Sequence, residues 1–168
     1  YELEDIISIE IPAGITNANF ILKNKYLQKI TILDNVNLRF TKFTNLEALT
    51  EIEIKGATVK FVEGCSNSAI KGIYSNTPGA SVVFEANVFK GKAHLEELTI
   101  CAGSEYEFGS NSFANSGVKR FIIPDCQIAT PDIAAQTFYE NENMWWYICL
   151  ENNIVNPFKE YTNNLLFY

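Results

Sequence analysis

A six-residue pattern of apolar positions recurs along the chain. It reads apolar-x-x-apolar-x-apolar and begins at residues 6, 27, 49, 70, 95, 118 and 145. Most copies end in a short alternating run such as Ile30-Thr31-Ile32 or Ile52-Glu53-Ile54, which is typical of a strand with one buried face. Successive copies are 21 to 27 residues apart. One strong strand per unit at this period predicts a solenoid in which the strands stack on one another.

Aromatic residues recur between the predicted strands. One precedes each of four strands by five to seven residues, and a second lies a few residues earlier in several units. We expect these rings to stack from unit to unit and to complete a continuous core, which a single repeat cannot bury alone. A turn position follows each strand by three residues. The recurring aromatics are Phe43, Phe89, Phe113 and Phe138, with Phe40, Phe84 and Phe108; the turn positions include Asn35, Ala57, Pro78 and Gly103.

One unit resembles a known family. The segment FGSNSFANSGVKRFIIP, residues 108 to 124, is similar to the BspA-like leucine-rich repeat, which reads roughly I-G-x-x-A-F-x-x-C-x-x-L-x-x-I-x-I-P. Residues 84 to 100 fit the same unit nearly as well, and Gly64-Cys65 matches its Gly-Cys step. The resemblance covers about residues 6 to 155. It implies a leucine-rich repeat solenoid, a β-rich right-handed superhelix of the α/β class, with about seven stacked parallel strands and irregular convex returns.

The length suits one domain. The chain has 168 residues, of which 47% are hydrophobic and 20% charged, so it can bury a core. We expect a single leucine-rich repeat domain over 1–168, with repeats over about 1–155 and a C-terminal cap over about 156–168. Because the chain opens abruptly inside patterned sequence, we expect it to be a fragment of a longer protein.

Charge and residue usage exclude several function classes. The net charge of −7 disfavours nucleic acid as a partner, and no apolar run reaches the ~20 residues of a membrane span, so we expect no direct membrane insertion. The four cysteines are far apart and His94 is the only histidine, so no metal site is predicted. The sequence has no phosphate-binding motif and no candidate nucleophile–base pair beyond one using His94, which reads as a surface residue in a turn. We therefore predict no catalytic residues, no cofactor and no enzymatic activity.

The exposed face of the stacked strands is the best candidate for a binding site. The repeat alignment predicts one outward column through Lys29, Glu51, Glu97, Arg120 and Tyr147, so Lys29 faces Glu51 and Glu97 faces Arg120. The second column carries Tyr74 and Ile122. Aromatic residues and arginine are the enriched anchors of protein interfaces. The predicted ligand-binding residues are Tyr74, Arg120, Ile122, Trp146 and Tyr147. If Trp145 points inward, Trp146 points the other way or lies at the entry of the strand.

Two readings from different classes compete. Members of the resembled family are typically cell-surface or secreted proteins implicated in adhesion and protein binding. The resemblance therefore implies a non-catalytic module at the cell surface or secreted, with a protein or glycan ligand. The rival is a parallel β-helix enzyme acting on polysaccharides, for which carboxylate pairs such as Glu51/Glu53 and Glu96/Glu97 are the candidate groups. A purely structural spacer is the third alternative.

Overall fold

The fold is taken from a computed structural model of the 168-residue chain. It describes residues 5–16, 24–40, 46–62, 69–92, 94–99, 104–123, 132–133, 145–148 and 165–167. Side-chain positions are described for these residues except 76, 121–123 and the last three segments, where the backbone and its pairing alone are given.

Eight parallel strands form the larger sheet, here sheet A. Seven of them fall on the seven copies of the apolar pattern, as predicted, and the eighth comes from the C-terminal tail. Every neighbouring pair is parallel, so the chain returns to the same end of the sheet before it begins each new strand. In spatial order the strands are β1 (Ser8–Ile11), β2 (Lys29–Ile32), β4 (Glu51–Lys55), β6 (Gly72–Thr77), β8 (Glu97–Thr99), β10 (Arg120–Ile123), β12 (Trp145–Ile148) and β13 (Leu165–Phe167).

A second parallel sheet occupies the return path of each coil. This second sheet, here sheet B, was not predicted, because the return path was expected to be irregular. The phenylalanines of the return path are instead the last residues of short strands in which exposed and buried residues alternate. No α-helix occurs among the described residues, so the helical component of an α/β class is not seen there. The five strands are β3 (Asn37–Phe40), β5 (Thr58–Phe61), β7 (Ser81–Phe84), β9 (Glu105–Phe108) and β11 (Asp132–Ile133), in the order β11-β9-β7-β5-β3.

The two sheets enclose a core of stacked rings. Phe40, Phe61, Phe84 and Phe108 close successive strands of sheet B, and their centroids are 5.3, 5.2 and 5.3 Å apart. This spacing is close to the ~4.8 Å between neighbouring strands, so parallel pairing alone places like residues ring on ring. Isoleucines and leucines from sheet A fill the other side of the core, among them Ile30, Ile32, Ile52, Ile54, Ile73 and Leu98, all at most 2% exposed.

A third ladder of contacts joins the turns that follow sheet B. The amide groups of Asn87, Phe89 and Gly91 donate to the carbonyls of Ser110, Ser112 and Ala114 in the next coil, at 3.0, 2.8 and 3.0 Å. Asn87 and Asn111 both lie three residues after the stacked phenylalanine of their coil, and both have positive φ. Asparagine tolerates this left-handed conformation better than most residues. The turn conformation therefore recurs from one coil to the next, as the strands do.

The left-handed turn between the two sheets also recurs, one residue away from two of its predicted positions. It is occupied by Asn35, Gly56 and Gly79, all with positive φ, rather than by Asn35, Ala57 and Pro78. The pairing of Thr58 N with Val36 O and of Ser81 N with Ala57 O fixes this alignment. Glycine and asparagine are the residues that adopt such a conformation at least cost.

Several sequence predictions lie outside the described residues. All four cysteines are among them, as are Phe43 and Phe138 and most of the predicted cap. Within that tail, Leu165–Phe167 pairs with Trp146–Ile148 and so extends sheet A by one strand.

Candidate functional site

The outward face of sheet A carries two straight columns of side chains. The strand register aligns Lys29, Glu51, Gly72, Glu97 and Arg120 in the first column, as the repeat alignment predicted. The second column lies two residues further along each strand. It contains Glu10, Thr31, Glu53, Tyr74, Thr99 and Ile122. Alternation along each strand sends the residues between these columns into the core.

The N-terminal part of this face is a neutralised charge cluster. Lys29 Nζ lies 2.6 Å from Glu51 Oε1 and 2.9 Å from Glu53 Oε2, and Lys55 Nζ lies 3.8 Å from the other oxygen of Glu53. The hydrogen bond from Lys29 lowers the pKa of Glu53, and the hydrogen bonds to Glu51 and then Glu53 raise the pKa of Lys29. The predicted pairing of Lys29 with Glu51 is confirmed. These groups already satisfy one another, so they offer little to a ligand.

Tyr74 fills the gap that Gly72 leaves in the first column. A methyl group at Gly72 would overlap the Tyr74 hydroxyl and the ring carbon that bears it, so the ring folds back over the glycine two residues before it. The phenol is half-buried, and burial raises its pKa, with further contributions in the same direction from the charges of Glu97 and Glu51. The result is an aromatic ring laid between two carboxylate positions on an otherwise polar sheet.

Arg120 lies on β10, two strands away from Tyr74 in sheet A. Its guanidinium pairs with the carboxylate of Glu97, the directly opposite residue, which confirms the predicted pair. Glu97 is mostly covered, at 13% side-chain exposure, while Arg120 remains 58% exposed. A carboxylate that fixes an arginine without covering it leaves part of the guanidinium donor set open to a partner, since arginine carries five N–H donors.

The register at β12 differs from the predicted alignment by two residues. Arg120 aligns with Trp145 and Ile122 aligns with Tyr147, whereas the sequence alignment had placed Tyr147 opposite Arg120. Trp146 aligns with Phe121, whose own partner is the buried Leu98. Trp145 therefore shares a register position with Arg120, and Trp146 shares one with Leu98. The side chains of Ile122, Trp146 and Tyr147 lie outside the described set, so their contacts stay predictions.

Sequence reasoning named Tyr74 but missed the role of Gly72. A glycine two residues before an aromatic lies on the same face of a strand and leaves room for the ring, and that spacing was the available signal. Gly72 is thus part of the candidate site, because it leaves the space that the Tyr74 ring occupies.

No group of three or more histidine, cysteine, aspartate or glutamate residues suited to a metal ion occurs among the described residues, and His94 is an exposed turn residue, as expected. No helix in the described part of the chain is long and apolar enough to cross a membrane.

Comparison with known proteins found no match: no protein-family model, no curated protein and no solved structure is similar to this chain. The architecture therefore defines the class. The chain is a β-solenoid of about four turns, with nearly all of its strands in parallel sheets.

Proposed function

We propose that this solenoid is a non-catalytic binding module that engages a protein or glycan through the outward face of sheet A. The observation that carries the proposal is the pairing of an aromatic platform with an anchored cation: Tyr74 seated over Gly72, and Arg120 held by Glu97 two strands away. Strands ~4.8 Å apart put these groups about 10 Å from each other along the stack. Preorganised tyrosine and arginine side chains are the residue types that dominate binding energy at interfaces.

The two halves of this face differ in what they offer to a ligand. Its N-terminal part consists of charges that neutralise one another, and exposed pairs of this kind contribute ~1 kcal/mol or less. The other predicted ligand-binding residues, Ile122, Trp146 and Tyr147, belong to the strands on the C-terminal side of Tyr74. The ligand is therefore proposed to engage the Tyr74-to-Tyr147 half of the face.

We further propose that the chain is a divergent member of the BspA-like leucine-rich repeat family and is displayed at the cell surface or secreted. The support is the repeat at residues 84 to 100 and 108 to 124, with its two stacked phenylalanines per unit. The second parallel sheet is a departure from a leucine-rich repeat with helical returns. Protease digestion of intact cells of the source organism, followed by detection of this domain, tests the location: surface display predicts loss of the signal without lysis.

The enzymatic alternative receives less support from the carboxylate pairs. A glycosidase needs two carboxyl groups that can reach the substrate, whereas Lys29 binds the carboxylates of both Glu51 and Glu53. The spacer alternative predicts that no ligand exists for the face.

A screen against matrix proteins and glycans tests the proposal. For any ligand found, Tyr74→Ala, Arg120→Ala and Tyr147→Ala are each expected to weaken binding at least ~3-fold, about 0.6 kcal/mol. Lys29→Ala is the matched control on the neutralised half of the face and is expected to leave affinity within that limit. A ligand whose affinity responds to Lys29 but to none of the other three would place the site elsewhere.

A further inference from the structure

Sheet B presents a second outward face, which the proposed ligand site does not use. Its described members alternate with the stacked core residues along each strand and form two rows. One row runs through Arg39, Lys60, Val83 and Glu107, and the register continues it to Asp132. The other row is Asn37, Thr58, Ser81 and Glu105, and the eight residues from Asn37 to Glu107 are called the sheet B face.

Charges on the sheet B face are sorted by sign. Arg39 lies directly opposite Lys60 at one end, and Glu107 lies opposite Asp132 in the register at the other. Like charges on directly paired residues destabilise a sheet. The face of sheet A does the reverse, since it pairs Lys29 with Glu51 and Glu97 with Arg120. Within the described part of the chain, Arg39, Glu105 and Glu107 form no ion pair.

We propose that the sheet B face binds a second copy of this chain in a two-fold symmetric dimer, in which the strand order of the partner runs in the opposite direction. The order of the row, cation-cation-valine-anion-anion, is its own complement when it is reversed. A two-fold axis that runs along β7 between the two faces reverses the strand order and keeps the strand direction. It therefore sets Lys60 against the partner's Glu107, Arg39 against the register position of the partner's Asp132, and Val83 against its own symmetry mate.

This arrangement gives an opposite charge to Arg39 and Glu107, which form no ion pair within the described part of the chain. Each like-charged end meets the opposite sign, and the one apolar residue of the row lies at the axis, where both copies bury it. Lys60 also contacts Glu85 of its own chain at 2.9 Å, but its side chain remains 44% exposed and is free to contact a further carboxylate. An isologous two-fold contact uses the same patch on both copies, as this pattern requires.

The size of the face sets the expected strength. Four strands of four residues and one of two residues, spaced by ~4.8 Å, cover about 300 Å² per copy, against about 800 Å² in a standard interface. We therefore expect a weak dimer, seen at concentrations of ~100 µM or more, whose affinity depends on charge. Raising the salt from about 50 mM to 500 mM shortens the screening length and is expected to weaken the dimer at least ~5-fold.

Sedimentation equilibrium of the 168-residue chain and of two charge-reversed variants tests the proposal. Arg39→Glu with Lys60→Glu makes the row wholly acidic, and Glu107→Lys with Asp132→Lys makes the row wholly basic. Each variant alone is expected to lose self-association at least ~10-fold. An equimolar mixture is expected to form a heterodimer at least as tight as the wild-type dimer, because the two reversed rows are complementary along their length.

Lys90→Glu with Lys119→Glu is the matched control. Both lysines are exposed and lie outside sheet B, and this pair changes the net charge from −7 to −11, as the acidic variant does. The control is expected to dimerise within ~2-fold of wild type. If a reversed variant fails to fold, Lys60→Gln and Glu107→Gln replace it, each with an expected loss of at least ~3-fold. A wild-type chain that stays monomeric to 1 mM in low salt overturns the proposal, and so does a mixture of reversed variants that does not associate.

Discussion

Replacing Phe84 by alanine tests whether the stacked rings hold the solenoid together. Phe84 is fully buried and lies at the centre of the ring cluster. Its ring is stacked on Phe61 and Phe108 at 5.2 and 5.3 Å, and it meets Phe113 edge-on at 4.9 Å. Removing it therefore opens a cavity between three coils at once.

The expected loss of stability lies at the upper end of the range for a buried phenylalanine. A Phe-to-Ala change in a core costs ~3–5 kcal/mol, and aromatic pairs add ~0.5–1.5 kcal/mol each, although these contributions are not additive. Because hydrogen-bonded sheets on both sides hold the neighbouring rings apart, the cavity has little freedom to collapse. We expect about 4–5 kcal/mol, and a fall in Tm of roughly 10–20 °C for a domain of this size.

Urea denaturation followed by circular dichroism measures the change, with two controls in the same strand. Phe84→Leu keeps most of the volume and is expected to cost about 1–2 kcal/mol. Val83→Ala removes two methyl groups from the opposite, solvent-facing side and is expected to cost less than ~1 kcal/mol. If Phe84→Ala costs no more than Val83→Ala, the rings do not form the core, and the pairing of sheet B is wrong.

Three further variants probe the candidate site and the turns. Lys29→Met should return the pKa of Glu53 towards its ordinary value and lower the free energy of unfolding by less than ~1 kcal/mol at pH 7. Since the folded-state pKa of Glu53 is depressed, this stabilisation is present above the unfolded pKa near 4.5 and is lost as the pH falls through the folded value, so urea midpoints of variant and wild type should converge in acid. Gly72→Ala should leave the fold intact but displace the Tyr74 ring and bring its raised pKa down towards 10, as read by ultraviolet titration; an unchanged titration would contradict the seating of the ring. The raised pKa of Tyr74 contributes stability that is complete below about pH 10 and is lost at higher pH. Gly56→Ala forces a side chain into a left-handed turn with φ +50° and should cost about 1–2 kcal/mol in a urea melt, whereas alanine at exposed Glu47 should cost almost nothing.

The apolar spacing of the chain determined the larger sheet. Seven copies of one pattern predicted seven strands, because an apolar residue at every second position can be buried only by a strand with one face in a core. Six of them begin where the pattern places them, and β12 begins two residues earlier. The same spacing predicted which residues lie opposite one another, and so it predicted the Lys29–Glu51 and Glu97–Arg120 pairs. The outward positions of Tyr74 and Arg120 also follow from the sequence, since outward columns are read directly from the alternation.

Only the tertiary structure decided what the return path does. The segments that end in Phe40, Phe61, Phe84 and Phe108 are four residues long, too short for periodicity to separate a strand from a turn. They become strands because the preceding coil supplies a parallel partner ~4.8 Å away, and that partner exists only once sheet A has set the stacking. The seating of Tyr74 over Gly72 and the two-residue shift at β12 have the same origin. Both depend on how side chains and register adjust between neighbouring coils, and no single unit of the sequence contains that information.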